Sequence, residues 1–196
     1  PYIRGGEGDK ADERDYQTFF ASHPGSVAAP TAGLHFTPEI MDRLRDAVYS
    51  VDFVTLHVGT PSFIPVYVHG KEGKTRVIPP APERCVFSAS LMAKIRDAKD
   101  RGGRVIAVGT TVVRALESMA RVKCAEGEEF EADLFITPEY KFNLVDCLVT
   151  NFHQPGTTHM LIVEALMGRE LLEESYHYAL SNRYRFLSYG DGMLIL

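Results

Sequence analysis

Hydrophobic positions along this chain follow helical spacing in some stretches and strand-like runs in others. Ile40, Leu44, Ala47 and Val48 share one helical face, behind Thr37-Pro38-Glu39, which supplies an N-cap and a proline at the first helical position. Residues 51–58 (VDFVTLHV) are β-branched and aromatic and predict a buried strand. Residues 60–87 carry several prolines and many polar groups, which predicts loops with a short hairpin around Lys71 to Arg76. Leu91, Ile95 and Ala98 form the apolar face of a helix capped by Ser88 or Ser90 and stopped by Gly102-Gly103. Residues 104–108 (RVIAV) read as a short strand, followed by Gly109-Thr110-Thr111 and a helix through Ala120.

Residues 121–133 are acidic and read as solvated. Residues 134–137 predict another strand, and 142–152 (FNLVDCLVTNF) a hairpin turning near Val145-Asp146. Thr157 opens an apolar helix to Met167, Glu170 to Leu180 form a second helix, and the tail ends in a short strand, MLIL. Strands alternating with helices predict an α/β fold, a central mixed sheet flanked by helices. The organisation expected is a linker over residues 1–15, polar and Gly-rich, then a single α/β domain over 16–196.

Composition narrows the function classes. Apolar residues at 45% and charged residues at 24% are those of a globular chain able to bury a core. The net charge of -5 argues against gripping nucleic acid over a wide surface, though a local basic patch is compatible with it. Cys85, Cys124 and Cys147 are widely spaced with no C-x-x-C pair, so reduced thiols are expected rather than a zinc site or a disulfide framework. No apolar run approaches a membrane span and no signal peptide is visible; the missing initiator Met reads as a fragment or a processed chain.

Several polar blocks stand at predicted strand ends. Gly109-Thr110-Thr111 lies between a strand and a helix, where exposed N–H groups attract anions and glycine admits a ligand to the backbone; helix capping by the threonines is the plainer reading. Arg114 and Glu117, three apart on the same helix, form a surface pair or, facing the carboxyl edge of a sheet, site residues. His35, His57 and His153 lie in apolar surroundings, where a histidine can transfer protons or serve as a hydrogen-bonded structural group; their spacing matches no metal motif. His23, His69, His159 and His177 read as surface or structural. Asn151-Phe152-His153 is a ligand-contact loop or an Asx-type turn. Tyr184, Arg185, Tyr189 and Asp191 can stack on a purine and hold an anion, or simply pack with one salt bridge.

These segments, taken in order, resemble a known family. Tyr16-Gln17-Thr18 and residues 24–37 (PGSVAAPTAGLHFT), residues 54–59 (VTLHVG), residues 104–111 (RVIAVGTT) with Val113-Arg114 and Leu116-Glu117-Ser118, residues 150–153 (TNFH), Tyr184-Arg185-Phe186 and residues 188–191 (SYGD) closely resemble blocks of the S-adenosylmethionine:tRNA ribosyltransferase-isomerases. The blocks span nearly the whole chain, and a long ungapped block such as PGSVAAPTAGLHFT is very specific.

The resemblance implies transfer of the ribosyl part of S-adenosylmethionine to 7-aminomethyl-7-deazaguanine in a tRNA, with isomerisation to epoxyqueuosine, a step of queuosine biosynthesis. It implies no metal and no cofactor, S-adenosylmethionine being a substrate, and a cytoplasmic, typically monomeric enzyme with no membrane partner. It assigns proton transfer to His35, His57 or His153. It assigns substrate contacts to Thr31, Gly33, Gly109, Thr110, Thr111, Arg114, Glu117 and Asn151, and nucleoside or tRNA contacts to Tyr184, Arg185, Tyr189 and Asp191. It also implies that the family's inserted β-barrel lies outside these residues. Two features depart from the family pattern. A His/Glu element expected after His57-Val58-Gly59 is replaced by Thr60-Pro61-Ser62-Phe63 and His69-Gly70-Lys71-Glu72-Gly73-Lys74, and His159 and Glu164 stand where Leu and a small residue are usual. The alternative is a divergent homologue that binds a nucleoside or sulfonium ligand without this reaction.

Overall fold

The computed structural model describes residues 7, 9–47, 49–59, 67–69, 75–88, 90–121 and 129–196. Six helices, α1 (Asp12–Asp15), α2 (Pro38–Asp46), α3 (Leu91–Asp100), α4 (Thr110–Met119), α5 (Thr158–Met167) and α6 (Arg169–Ser181), accompany a 3-10 turn at Thr31–His35. Eight strands complete the described residues: β1 (Val54–His57), β2 (Tyr67–His69), β3 (Thr75–Val77), β4 (Glu83–Phe87), β5 (Ile106–Val108), β6 (Glu129–Ala132), β7 (Cys147–Asn151) and β8 (Gly192–Ile195). The fold is α/β, and its strands divide between two three-stranded sheets and a hairpin. One sheet, β1-β4-β6, is wholly antiparallel. The other, β5-β7-β8, is mixed: β5 runs parallel to β7, and β8 antiparallel to it.

Local signals hold where they are chemically specific. Thr37 accepts the Ile40 N–H at 3.3 Å to start α2, and Thr157 accepts the Met160 N–H at 3.3 Å to start α5. The inward face of α2, however, is Met41; Ile40 is exposed, and Ala47 is already extended. Val48 lies outside the described residues. No serine side chain caps α3, although Ser90 occupies the cap position.

Three expectations are corrected. The proline-rich stretch contains β4, the central strand of its sheet, with Glu83, Cys85 and Phe87 turned inward. Residues 129–132, read as solvated, form β6, whose Phe130 and Ala132 are buried while Glu129 and Glu131 face solvent. Residues 134–137 and 142–146 form no strand; Leu134, Ile136 and Val145 are buried in irregular chain. The pairing of β2 with β3 matches the expected hairpin, whose turn lies outside the described residues, as do Cys124 and residues 60–66. Residues 12–15, read as linker, form one helical turn.

Helix α4 packs against both three-stranded sheets. Val113 and Leu116 from α4, Cys85 and Phe87 from β4, Leu148 from β7 and Ile162 and Val163 from α5 form one core, in which Phe87 and Phe130 stack at 5.1 Å. Cys85 and Cys147 are buried free thiols, and burial pushes Cys85 up to about 12, leaving it inert as a nucleophile.

Candidate functional site

The carboxyl ends of the parallel strands β5 and β7 open into a cleft of about 730 Å³. This is where an α/β sheet offers helix N-termini and loop backbone to a ligand. Gly109 makes the transition. Its φ of +98°, a conformation that favours glycine, turns the chain from β5 into α4, while its N–H donates to the Val149 carbonyl at 2.8 Å. No side chain caps α4. The expected cap by Thr110 or Thr111 is therefore not made; Thr110 Oγ1 instead bonds His159 Nδ1 at 2.8 Å.

The structure brings Thr31, Gly33, Gly109, Thr110, Thr111, Asn151 and His153 together on the cleft wall. Gly33 is needed for close approach, since a Cβ there would lie 2.9 Å from Thr18 Cγ2 and 3.0 Å from the Phe20 ring. An aromatic wall faces these polar groups: Phe20 packs on Phe53 at 5.2 Å and edge-on against Phe19 at 5.2 Å. Two buried atoms of cleft residues, Thr18 Oγ1 and Asn151 Oδ1, have no hydrogen-bond partner.

The other sequence candidates lie elsewhere. His35 stands behind Asn151, whose Nδ2 is 3.2 Å from its Nε2. His57 sits over Gly25, where a Cβ would come within 2.9 Å of its Nδ1. Arg114 and Glu117 are neither a surface pair nor ligand-facing. Arg114 donates to the Ala81 and Ala132 carbonyls, the latter at 2.6 Å, and lies 3.6 Å from Glu83. Glu117 accepts bonds from the 140–145 loop. Both turn into the core because α4 is sandwiched between the two sheets and has almost no free face.

Tyr184, Arg185, Tyr189 and Asp191 do not line the cleft, although Leu187 and Ser188 of the same closed loop do. Asp191 accepts the Arg185 N–H at 2.7 Å, and its N–H donates to the Arg185 carbonyl at 2.8 Å. That backbone bond from Arg185 is the chief cause holding the Asp191 carboxyl below its usual range. Gly190 is required for the loop to close, as a Cβ there would fall 2.4 Å from the Phe186 carbonyl carbon. Tyr16 and Tyr189 meet edge-on at 5.8 Å, and the Tyr189 hydroxyl donates to Asp12 at 3.1 Å, so α1 packs on this loop.

Sequence reasoning missed His159, Thr150 and Thr18. His159 and His153 stack at 5.1 Å, and His153 Nε2 bonds Thr150 Oγ1 at 2.8 Å. The paired rings thus tie the start of α4 to the end of β7. A histidine in the first turn of a helix that follows a strand end was the available signal. Among the described residues no three His, Cys, Asp or Glu side chains gather as a metal-binding group.

Burial is the main cause holding His153 at about 3 and His159 at about 4, against an ordinary value of 6.5. The charge of the neighbouring ring adds to it at His153, and that of Arg114 at His159. Both rings stay neutral in the fold while the unfolded chain protonates them below about pH 6.5. Stability from this source is full above pH 6.5 and drains as pH falls towards 4. A His159→Leu variant should show a flatter dependence of Tm on pH between 6.5 and 4; an unchanged slope would dissociate the pair from acid sensitivity.

A family model described as queuosine biosynthesis protein matches residues 1–195. A protein of Trichormus variabilis named S-adenosylmethionine:tRNA ribosyltransferase-isomerase is 47% identical over 198 residues, which cover 100% of this chain and 46% of the relative. One of the same name from Citrifermentans bemidjiense is also 47% identical, with 100% of this chain and 56% of the relative covered. The crystal structure of an S-adenosylmethionine tRNA ribosyltransferase from Thermotoga maritima superposes with a TM-score of 0.66 at 41% identity, covering 84% of this chain and 51% of that one. The chain spans about half the length of the relatives it matches.

Proposed function

The chain belongs to the queuosine biosynthesis protein family, and from that premise we propose that it carries the ligand cleft of an S-adenosylmethionine:tRNA ribosyltransferase-isomerase. The reaction proposed is transfer of the ribosyl moiety of S-adenosylmethionine to 7-aminomethyl-7-deazaguanine in tRNA, with rearrangement to epoxyqueuosine. One observation carries the reading to this chain: the cleft at the carboxyl edge of β5 and β7 combines an uncapped helix start with an aromatic wall. A nucleoside attached to an amino acid needs both. The uncapped helix start at Thr110 and Thr111, on the cleft wall, suits a carboxylate. Phe20 and Phe53 offer a face for the adenine ring.

The residues divide the work as follows. Asn151, fixed by donation to the Gly190 carbonyl at 3.3 Å, keeps its Oδ1 for a donor on the ligand. Thr110 and Thr150 are held in place by the neutral His159 and His153 rings. A ring held at about 3 is a poor base at neutral pH, so His153 acts as a positioning group. His35 stands behind Asn151 with its Nε2 engaged by the Asn151 amide, so it supports the cleft wall from outside rather than touching the ligand. In this reading S-adenosylmethionine is consumed as substrate, no metal or further cofactor takes part, and the enzyme works as a cytoplasmic monomer. Among the described residues no helix is long and apolar enough to cross a membrane.

Calorimetric titration with S-adenosylmethionine tests the proposal. Saturable binding is expected, weakened about 2- to 10-fold in Thr110→Ala, the loss of one hydrogen bond. A His35→Ala variant should weaken binding as well, because Asn151 loses the ring that supports it. Absence of binding, or binding indifferent to Thr110, would sink the assignment of this cleft.

A further inference from the structure

We propose that the carboxy-terminal end of α6 is the surface on which the RNA partner docks, an inference that rests on the function proposed above. The residues concerned are Tyr178, Arg183 and Tyr184. Tyr178 is 60% exposed and Tyr184 41%, and their rings meet at 6.2 Å. Exposed aromatic faces beside an arginine are the elements with which proteins hold unpaired bases and their phosphates.

Three observations set this patch apart from an ordinary helix end. First, Arg183 has φ of +60°. The position follows the Asn182 cap of α6, and the Arg183 N–H donates to the Leu180 carbonyl at 3.2 Å. A glycine fills such a position without strain, so an arginine there keeps a side chain at a conformational cost. Second, that side chain has no ion-pair partner among the described residues, whereas Arg169 at the other end of the helix is paired with Glu173 at 2.8 Å. Third, charge is segregated along α6: Glu170, Glu173 and Glu174 all lie in its first two turns. The end that carries the tyrosines is therefore free of carboxylates on its own helix, although the chain as a whole is acidic.

The patch is also coupled to the cleft. Tyr184 packs edge-on against Phe152 at 5.9 Å, and Phe152 packs against Tyr176 at 5.4 Å. The Tyr176 hydroxyl in turn accepts the backbone N–H of His153 at 2.9 Å. An RNA seated on Tyr184 would thus rest on the element that sets the cleft wall. A single-stranded loop fits better than a protein partner, because stacking needs accessible ring faces and the arginine needs an anion that the chain does not supply.

The test is fluorescence anisotropy of the intact protein with a labelled anticodon stem-loop RNA, across a salt series. Tyr178→Ala should weaken binding roughly 5-fold or more. Arg183→Gly is the diagnostic variant: it relieves the backbone while removing the charge. Its Tm should be unchanged or raised, its RNA affinity should fall several-fold, and the slope of log K against log salt should shrink by about 0.7 to 0.9. RNA affinity unaltered in both variants, or no RNA binding by the unaltered protein, overturns the proposal. Titration of the same variants with S-adenosylmethionine keeps the two readings apart, since ligand binding in the cleft should survive both substitutions.

Discussion

Replacing Glu117 with alanine is expected to destabilise the protein by about 4 kcal/mol or more, with donors stranded inside the fold at roughly 1–3 kcal/mol each. The carboxylate is fully buried. Its Oε1 accepts the Leu144 and Val145 N–H groups, both at 2.9 Å, and its Oε2 accepts the Asn143 N–H and the Tyr140 hydroxyl, also at 2.9 Å. The side-chain amide of Asn143 adds a longer bond at 3.3 Å. Irregular chain from 140 to 145 has no ladder of its own, so Glu117 takes the place of a paired strand for it. Tm should fall by more than about 8 °C, at roughly 2–4 °C per kcal/mol for a domain of this size. Glu117→Gln keeps the shape but points an NH2 group at backbone donors, and should cost about half as much.

The same residue sets an acid limit. Burial raises its proton affinity, but the bonds from Val145, Asn143, Leu144 and Tyr140 together outweigh burial, and the carboxyl is held below its ordinary value of 4.5. A depressed carboxylate contributes stability that is full above the unfolded value and is lost as pH falls through the folded one. Chemical denaturation should therefore show wild type losing more stability than Glu117→Gln as pH drops below about 4.5. Parallel acid profiles would mean that Glu117 is not ionised in the fold.

The helices were legible in the sequence because their signals are local. Thr37-Pro38 and Thr157 cap within three residues of their own hydroxyls. Strands β4 and β6 were not legible, because what makes them strands is each other. Arg84 and Glu129, 45 positions apart, pair across the ladder, and nothing near either announces the partner. Residues 134–137 erred the other way: Leu134 and Ile136 are as apolar as strand residues, yet they fill the core without a ladder. Apolar content reports burial, whereas backbone pairing depends on what lies alongside.

The site divides along the same line. Gly109, Thr110, Thr111, Asn151 and His153 stood out as a polar block at a strand end, whereas Thr31 and Gly33 were picked out by the family resemblance alone. His159 was passed over as a lone helical histidine, since its stacking partner six residues earlier becomes adjacent only when α5 folds back past β7. Arg114 and Glu117, expected at the ligand, are buried groups bonded within the fold, a distinction that neither spacing nor resemblance draws. Charge patterns in a helix do not reveal that both its sides are covered. The net charge is silent in a related way: a sum over the chain does not show the segregation along α6.

Arg114 gives the sharper test of that distinction. Arg114→Met should cost about 3–5 kcal/mol, because it leaves the buried Glu83 carboxylate without the guanidinium beside it. The Ala81 and Ala132 carbonyls lose their donor in the same step. Arg114→Lys should recover only part of the loss, since an ammonium cannot hold two carbonyls and a carboxylate in the plane of a guanidinium. Adding Glu83→Gln to Arg114→Met should restore stability relative to the single variant, because the carboxylate that faced the guanidinium is then neutral. The coupling in a double-mutant cycle is expected to reach about 1–3 kcal/mol. Additive losses would show that the 3.6 Å pair is not an energetic unit. The decisive comparison is functional: at a temperature where all variants are folded, S-adenosylmethionine affinity per folded molecule should be nearly the same in Arg114→Met and wild type. A drop as large as that in Thr110→Ala would put the guanidinium back among the ligand contacts, against its placement between β4 and β6.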